Sequence, residues 1–90
     1  PFEVEAALLE HESVLEAAVV AWEDKDNLIK PKAFIILKKN FTASEDLEND
    51  LTNFIKKTLT PFKYPRWYEF VKELPKTATG KIQRFKLRQS

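Results

Sequence analysis

The sequence predicts an α+β domain, in which a small, mainly antiparallel sheet of about three strands carries flanking helices. Short runs of β-branched and aromatic residues alternate with stretches whose apolar residues recur every three or four positions. Their order along the chain is helix, strand, strand, helix, strand, loop, helix. With 90 residues, 43% of them hydrophobic, the chain can bury one modest core and is too short for two. We therefore treat residues 1–90 as one domain.

The first helix is predicted in the opening stretch PFEVEAALLEH. Pro1 suits a first helical turn, and Glu3 and Glu5 favour the positive end of the helix dipole. The residues spaced to share its inward face are Val4, Ala7, Leu8 and His11. We assign His11 a structural role at the end of this helix, because the chain has no cysteine and no second histidine to complete a metal site.

Three strands are predicted, at Val14–Trp22, Lys32–Lys38 and Arg66–Leu74. The segment EDKDNLIKP between the first two contains the Asp, Asn and Pro that are typical of a turn, which favours an antiparallel pair. Trp22 and Trp67 each fall inside a predicted strand. We therefore expect both tryptophans to pack in the core.

The clearest helical pattern begins near residue 42, where Thr42 and Glu45 form a capping-box pattern. Acidic residues fill its first turns, lysines its last, and Pro61 ends it. Its inward stripe is predicted to be Leu47, Leu51, Phe54, Ile55 and Thr58. A last short helix is predicted in IQRFKLRQ, with Ile82, Phe85 and Leu87 directed inward.

The composition excludes several kinds of site. Without cysteine and with one histidine, the chain has no disulfide framework, no Cys/His metal site and no cysteine nucleophile, and a reducing, cytoplasmic setting is favoured. No apolar run approaches the roughly 18 residues that a membrane span needs, and the acidic N-terminal stretch is unlike a signal peptide. We expect no membrane partner.

The net charge of +1 conceals an asymmetry along the chain. Residues 1–55 carry 5 basic and 12 acidic groups, net −7, whereas residues 56–90 carry 10 basic and 2 acidic groups, net +8. So basic a segment suggests an anionic partner, such as a phosphate-bearing ligand, nucleic acid or an acidic protein surface. The alternative is that the two halves face and neutralise each other.

The stretch PKTATGKIQR, residues 75–84, contains the one glycine of the chain, Gly80, directly before Lys81. It does not fit the phosphate-binding pattern G-x-x-x-x-G-K-[ST], because Pro75 replaces the first glycine and Ile82 the final Ser/Thr. The residues still form a turn-prone loop from which Lys81 can extend a compact positive charge. Such a charge could bring two anions together, and an ordinary surface turn is the alternative.

The same stretch resembles the C-terminal signature of adenylate-forming enzymes, which include acyl- and aryl-CoA ligases, luciferases and adenylation domains of peptide synthetases. PFEVEAALLEHESVLEAAVVAWEDKDN resembles the start of that family's small C-terminal domain, and KPKAFIIL its next strand. The resemblance thus covers nearly the whole chain in the family's order. FKYPRWYEFVKELPKTATGKIQRFKLR is most similar to benzoate-type aryl-CoA ligases.

The resemblance implies a reaction and a role for Lys81. Members of the family activate a carboxylic acid with ATP and Mg²⁺ to an acyl-adenylate, and the thiol of CoA then displaces AMP. Lys81 would bridge the carboxylate and the adenylate oxygens, on a loop supported by Thr79 and Gly80. The small domain would then rotate on a large N-terminal domain for the thioester step.

A second group of residues is implied to contact CoA. The segment PFKYPR resembles the part of aryl-CoA ligases that lies near the CoA nucleotide. Phe62 and Tyr64 would pack against its adenine or pantetheine, and Lys63 and Arg66 would meet its phosphates. Core packing of the two aromatic rings is the alternative. Lys81 also resembles the lysine that protein acetyltransferases modify in acyl-CoA ligases, and acetylation would remove its charge.

The family's large domain and hinge motif have no counterpart in these residues. We therefore expect a fragment that binds no cofactor and catalyses no ligation alone. Two other interpretations stay open. One is a peptide-synthetase adenylation fragment; the other is a basic nucleic-acid-binding module in which Phe62, Tyr64, Trp67 and Tyr68 stack on bases. The latter lacks a recognised motif, so no nucleic acid is expected.

Overall fold

The computed structural model describes residues 2–59 and 64–88. Its elements are α1 (Phe2–Leu9), β1 (Val14–Glu23), β2 (Ile29–Leu37), α2 (Glu45–Thr58), β3 (Trp67–Phe70) and a short 3₁₀ helix (Arg84–Lys86). The predicted α+β class is confirmed, with each element within a few residues of its expected position. The predicted third strand is shorter than expected, because only four of its nine residues form β3, and so is the last helix.

The sheet has the strand order β1-β2-β3. The β1 and β2 strands pair antiparallel from Val14↔Leu37 to Glu23↔Ile29, with an irregularity between Val14 and Glu16. The β3 strand pairs parallel with β2, because helix α2 carries the chain back across the sheet between them. The longer antiparallel pairing makes the sheet mainly antiparallel, as predicted.

The sheet is covered on both faces, because side chains alternate between the two faces along each strand. On one face, α1 and α2 pack on the sheet in a first core cluster: Val4, Ala7, Leu8, Val14, Ala17, Val19, Ala33, Ile35, Leu51 and Ile55. On the other face, a second core cluster is formed by Ala18, Val20, Phe34, Ile36 and Leu74, with Val71, Ile82 and Leu87 packed against it. The segment after β3 thus covers the face opposite the helices.

Helix α2 begins later than the capping-box pattern suggested. Ser44 is its N-cap, and the Ser44 hydroxyl accepts the N–H of Leu47 at 3.0 Å. The expected cap at Thr42 is wrong, because Ser44 directly precedes the first helical residue. Thr58 is also exposed, not inward, and its hydroxyl donates to the Phe54 carbonyl. Pro61 lies outside the described residues.

The last predicted helix is shorter than expected and turns one aromatic outward. It forms a single 3₁₀ turn, in which Phe85 is 65% exposed. The expected inward position of Phe85 is wrong, because Ile82 lies before the 3₁₀ turn, in the bridge with Lys76, so helical spacing does not relate residues 82 and 85. Ile82 and Leu87 pack on the second core cluster as expected.

His11 has the structural role that the sequence predicted. Its ring is buried, and its Nδ1 accepts the Ser13 backbone N–H at 3.1 Å, which leaves the proton on Nε2 for Asp50 at 2.8 Å. The ring also packs edge-on against Phe54. His11 therefore joins the turn after α1 to helix α2.

Candidate functional site

Lys81 lies on a closed hairpin of residues 76–82, called the Lys81 hairpin below. Its ends are joined by an antiparallel bridge between Lys76 and Ile82. Within it, the Thr77 N–H donates to the Lys81 carbonyl at 2.8 Å, and the Gly80 N–H donates to the Thr77 carbonyl at 3.0 Å. These bonds close a tight turn over Thr77–Gly80. The loop expected from the sequence is therefore an ordered hairpin.

Thr79 and Gly80 form the turn that presents Lys81. Gly80 has φ +87°, a backbone conformation that favours glycine, and a Cβ built there would meet nothing within 4 Å. The glycine is therefore required by backbone conformation and not by lack of space. The Thr79 hydroxyl lies 3.1 Å from the Thr77 hydroxyl, within hydrogen-bond distance.

The Lys81 side chain is exposed, and no residue in the described ranges forms an ion pair or hydrogen bond with its ammonium. The basic residues on either side of it, in contrast, both form ion pairs. Lys76 pairs with Glu16, and Arg84 pairs with Glu5. Lys81 thus carries a charge that is free to meet an anion from outside the domain.

The base of the Lys81 hairpin is fixed to the sheet. Leu74 precedes the hairpin and is buried in the second core cluster, and Ile82 ends the hairpin and packs against the same cluster. The Gln83 N–H donates to the Pro75 carbonyl at 2.8 Å, which joins the two arms below the bridge. The hairpin is therefore held at its base while its tip projects into solvent.

The residues expected to contact CoA have different environments. Phe62 and Lys63 lie outside the described residues. Tyr64 is half-buried against the first core cluster, with the Lys56 ammonium 4.6 Å from its ring centroid. Arg66 is exposed, and its guanidinium lies 5.9 Å from the centroid of the Trp67 ring. Arg66 is thus more accessible to a ligand than Tyr64.

Arg66 borders an open cleft of about 440 Å³ that was not recognised in the sequence. The cleft is lined by Trp22, Glu23, Asp24, Lys25, Asp26, Arg66 and Trp67. Trp22 also packs on the second core cluster, whereas Trp67 belongs to neither cluster, so its expected core position is wrong. One signal could have indicated the cleft, since each tryptophan lies near the end of its strand, next to a turn or loop.

Lys81 is not among the residues that line this cleft. The structure therefore places Lys81 apart from Arg66. Lys81 is an exposed ammonium on a hairpin, whereas Arg66 borders a cleft that also contains two indole rings, one ammonium and three carboxylates.

The acidic and basic halves of the chain do face each other in part. Glu5 and Glu16 of the acidic half neutralise Arg84 and Lys76 of the basic half, and Lys32 pairs with Glu69 at 3.0 Å in the opposite sense. Two cations of the basic half are therefore neutralised within the domain, and these pairs give the nucleic-acid interpretation no support.

No helix in the described ranges is long and apolar enough to cross a membrane. Within the same ranges, no group of three or more His, Cys, Asp or Glu side chains is placed to hold a metal ion.

Comparison with known proteins identifies close relatives. The family model of the AMP-binding enzyme C-terminal domain matches residues 3–81. The chain is 67% identical over 90 residues to a benzoate–CoA ligase of Thauera aromatica, and 49% identical to a 4-hydroxybenzoate–CoA/benzoate–CoA ligase of Rhodopseudomonas palustris. The alignments span 100% and 99% of this chain and 17% of each of those proteins.

Comparison with a solved structure also finds similarity to a benzoate CoA ligase. The crystal structure of a benzoate CoA ligase from Burkholderia xenovorans LB400 superposes with a TM-score of 0.92 at 56% identity, over 99% of this chain and 18% of that one. The present chain thus spans about a sixth of the length of these relatives.

Proposed function

The chain belongs to the family of AMP-binding enzyme C-terminal domains, and on this premise we propose that it is the mobile C-terminal domain of an ATP-dependent, AMP-forming carboxylic acid:CoA ligase. Its acid is an aryl acid of the benzoate type. A large N-terminal domain of the same protein holds the acid and most of the ATP. The names of the similar ligases support the substrate class, and the geometry of Lys81 supports the role of this domain.

The observation that carries the proposal is the unpaired, exposed ammonium of Lys81 on an anchored hairpin. In the first step, a carboxylate oxygen attacks the α-phosphorus of ATP and pyrophosphate leaves. The two reactants are both anions and repel each other. The Lys81 ammonium offsets this repulsion by contacting both, and it stabilises the charge that develops in the transition state.

The second step needs no such cation. The CoA thiol loses its proton and attacks the acyl carbon, and AMP leaves with the bonding electrons. A lysine that is useful only in the first step must be withdrawn before the second. Lys81 projects from a hairpin whose base is fixed to the sheet, so rotation of the whole domain can remove it without unfolding the hairpin.

We also assign CoA contacts to this domain. Phe62, Lys63, Tyr64 and Arg66 are the residues of this second site, and of the two that the structure describes, Arg66 is the one whose exposure supports the role. Its guanidinium can pair with a CoA phosphate, and the adjoining cleft offers the indole ring of Trp67 to a nucleobase. No Mg²⁺ ligand is assigned to the described part of this domain.

Lys81 is also proposed as an acetylation site. Its exposure makes the amine accessible to a protein lysine acetyltransferase, and transfer of an acetyl group from acetyl-CoA would convert the ammonium to a neutral amide. Incubation of the domain with acetyl-CoA and such an enzyme should label Lys81, as detected by mass spectrometry. Labelling of other lysines with none at Lys81 would contradict this assignment.

The test of the main proposal uses the full-length ligase that contains this domain. Lys81→Ala should lower acid-dependent ATP–pyrophosphate exchange by about 100-fold or more, since removal of one charged group that contacts the transition state typically costs this much. Thioester formation from supplied acyl-adenylate should stay within about 3-fold. Lys86→Ala, which removes another exposed lysine of the same segment, is the matched control and should change neither reaction.

Two outcomes would contradict the proposal. One is normal pyrophosphate exchange in the folded Lys81→Ala enzyme; the other is an equal loss in both half-reactions. The substrate class is checked by comparing benzoate with aliphatic acids in the unmodified enzyme, where benzoate should have the higher kcat/KM. The 90-residue chain alone should form no acyl-adenylate.

A further inference from the structure

We propose that Glu5 is a positioning residue for adenylate formation, which acts by holding Arg84 and thereby fixing the Lys81 hairpin. This inference rests on the proposed function of Lys81. Glu5 lies in α1, at the other end of the chain from the hairpin, and no feature of the sequence links the two.

The contact between Glu5 and Arg84 is a two-point ion pair. Arg84 donates from Nε to one Glu5 carboxylate oxygen at 2.7 Å and from Nη2 to the other. The oxygen that accepts Nε also accepts the backbone N–H of Val19 at 2.7 Å. Both carboxylate oxygens are therefore used, and the carboxylate joins α1, β1 and the segment that follows the hairpin.

This pair is shielded from water. The Glu5 side chain is 7% exposed and that of Arg84 is 28% exposed. The Phe2 ring also lies against Arg84, with the guanidinium carbon 4.8 Å from the ring centroid. The hydrogen bond to Glu5 raises the pKa of Arg84 above its ordinary value, so the guanidinium stays charged. A buried carboxylate with a bidentate partner has one well-defined geometry.

Arg84 attaches the segment that follows the hairpin to Glu5 of α1. It lies three residues after Lys81, and the intervening Gln83 bonds to Pro75 on the other arm. On the other arm the corresponding ion pair is Lys76–Glu16, a contact through one nitrogen whose side chains are 37% and 31% exposed. The Glu5–Arg84 pair is thus the stronger of the two electrostatic anchors.

Anchoring matters because Lys81 must contact two anions at once. A displacement of about 1 Å between reacting groups can lower a rate by about 100-fold. Glu5 also neutralises Arg84. Without Glu5, a free guanidinium three residues from Lys81 would compete for the same anions. Both effects act on the first half-reaction, in which Lys81 takes part, and not on the second.

The test uses Glu5→Gln in the full-length ligase. The amide oxygen can still accept the Val19 N–H, but the charge that holds Arg84 is gone. We expect kcat for pyrophosphate exchange to fall 10- to 100-fold, with KM for acid and ATP changed less than about 3-fold. Thioester formation from supplied acyl-adenylate should stay within about 3-fold of the unmodified enzyme.

The double variant Glu5→Gln/Lys81→Ala separates positioning from a general structural role. If Glu5 acts through Lys81, adding Glu5→Gln to Lys81→Ala should lower exchange by less than about 3-fold. A full further loss would overturn the inference. Asp50→Asn is the matched control, since it removes a carboxylate paired with His11, away from the hairpin, and keeps an acceptor oxygen. It should change neither half-reaction.

Arg84→Lys is measured in parallel, in case Glu5→Gln does not fold. It keeps the charge but not the two-point contact, and it should lower pyrophosphate exchange by about 10-fold with normal thioester formation. Unchanged exchange in a folded Glu5→Gln or Arg84→Lys enzyme would overturn the inference. It would not affect the proposed function, which fails only if Lys81→Ala itself leaves exchange intact.

Discussion

The Thr77 hydroxyl accepts the backbone N–H of Lys81 at 3.1 Å, and the Thr77 N–H donates to the carbonyl of Lys81 at 2.8 Å. One residue therefore satisfies both backbone groups of the lysine. The backbone of Lys81 is held by its own hairpin, while its side chain is left without a partner in the part of the chain that the structure describes. Order in the main chain and availability of the charge thus occur at the same residue.

The conformation of Gly80 predicts the effect of adding a side chain. Gly80→Ala should lower the free energy of unfolding of the 90-residue chain by about 1–2 kcal/mol, because a residue with a Cβ is strained at positive φ. The cost comes from the backbone, since the new methyl group would meet nothing within 4 Å. Urea denaturation measures it.

Gly80→Asn serves as the comparison, because asparagine tolerates positive φ better than alanine. Its loss should be smaller than that of Gly80→Ala. Equal stability of Gly80→Ala and the unmodified chain would show that the hairpin can adopt another turn.

The cap of α2 provides a second test. Ser44→Ala should lower the free energy of unfolding by about 1 kcal/mol, because the Leu47 N–H loses its acceptor at the start of a helix that buries Leu51 and Ile55. Thr42→Ala is the matched control and should change it by less than about 0.5 kcal/mol, as expected for an exposed residue away from the cap. Thermal denaturation of both variants distinguishes them. A larger effect at Thr42 would restore the capping box that the sequence suggested.

The half-buried phenol of Tyr68 should lower the free energy of unfolding at alkaline pH. Burial raises its pKa from 10.0 to about 12, with a smaller opposite effect from the Thr52 hydroxyl at 2.8 Å. Below pH 10 the phenol is protonated in both folded and unfolded chains. Between pH 10 and 12 the unfolded chain releases its proton first, so stability falls. At pH 11 the loss should be about 1 kcal/mol, after allowance for partial exposure.

Tyr68→Phe removes this titration and is the appropriate comparison. At pH 9 it should be less stable than the unmodified chain by about 1 kcal/mol, because the Thr52 hydroxyl loses its partner. Between pH 9 and 11 the difference should shrink, since only the unmodified chain carries the phenol. Denaturant titrations at both pH values measure the difference. A constant difference would mean that burial does not perturb Tyr68.

The elements were predictable because their apolar residues follow the period of each structure. Val4, Ala7 and Leu8 share one helical face, and all three are buried as the spacing implied. The predictions of which side chains face inward were wrong where the local sequence pattern does not determine burial. Thr58 continues the helical spacing, but it lies in the last turn, where its hydroxyl bonds to the backbone.

The site was predictable only in part. Gly80 and Lys81 form a short motif that can be recognised locally, and the structure places Gly80 in the turn of a hairpin and Lys81 directly after it. Glu5 and Arg84 are 79 residues apart, and nothing in either local pattern indicates their contact. The cleft beside Arg66 also depends on a contact between distant parts of the chain, the end of β1 and the start of β3. Strand periodicity predicts which side chains share a face, but it does not predict which strand ends lie next to each other.

The carboxylate of Glu5 has one more consequence, which concerns other copies of the chain. β1 lies at an edge of the sheet as described, where a bare row of amides could recruit a foreign strand. One of those amides, that of Val19, is already occupied by the Glu5 carboxylate. An incoming strand would meet an amide that already has a partner, so the contact that anchors the hairpin also removes one hydrogen-bond donor from this edge.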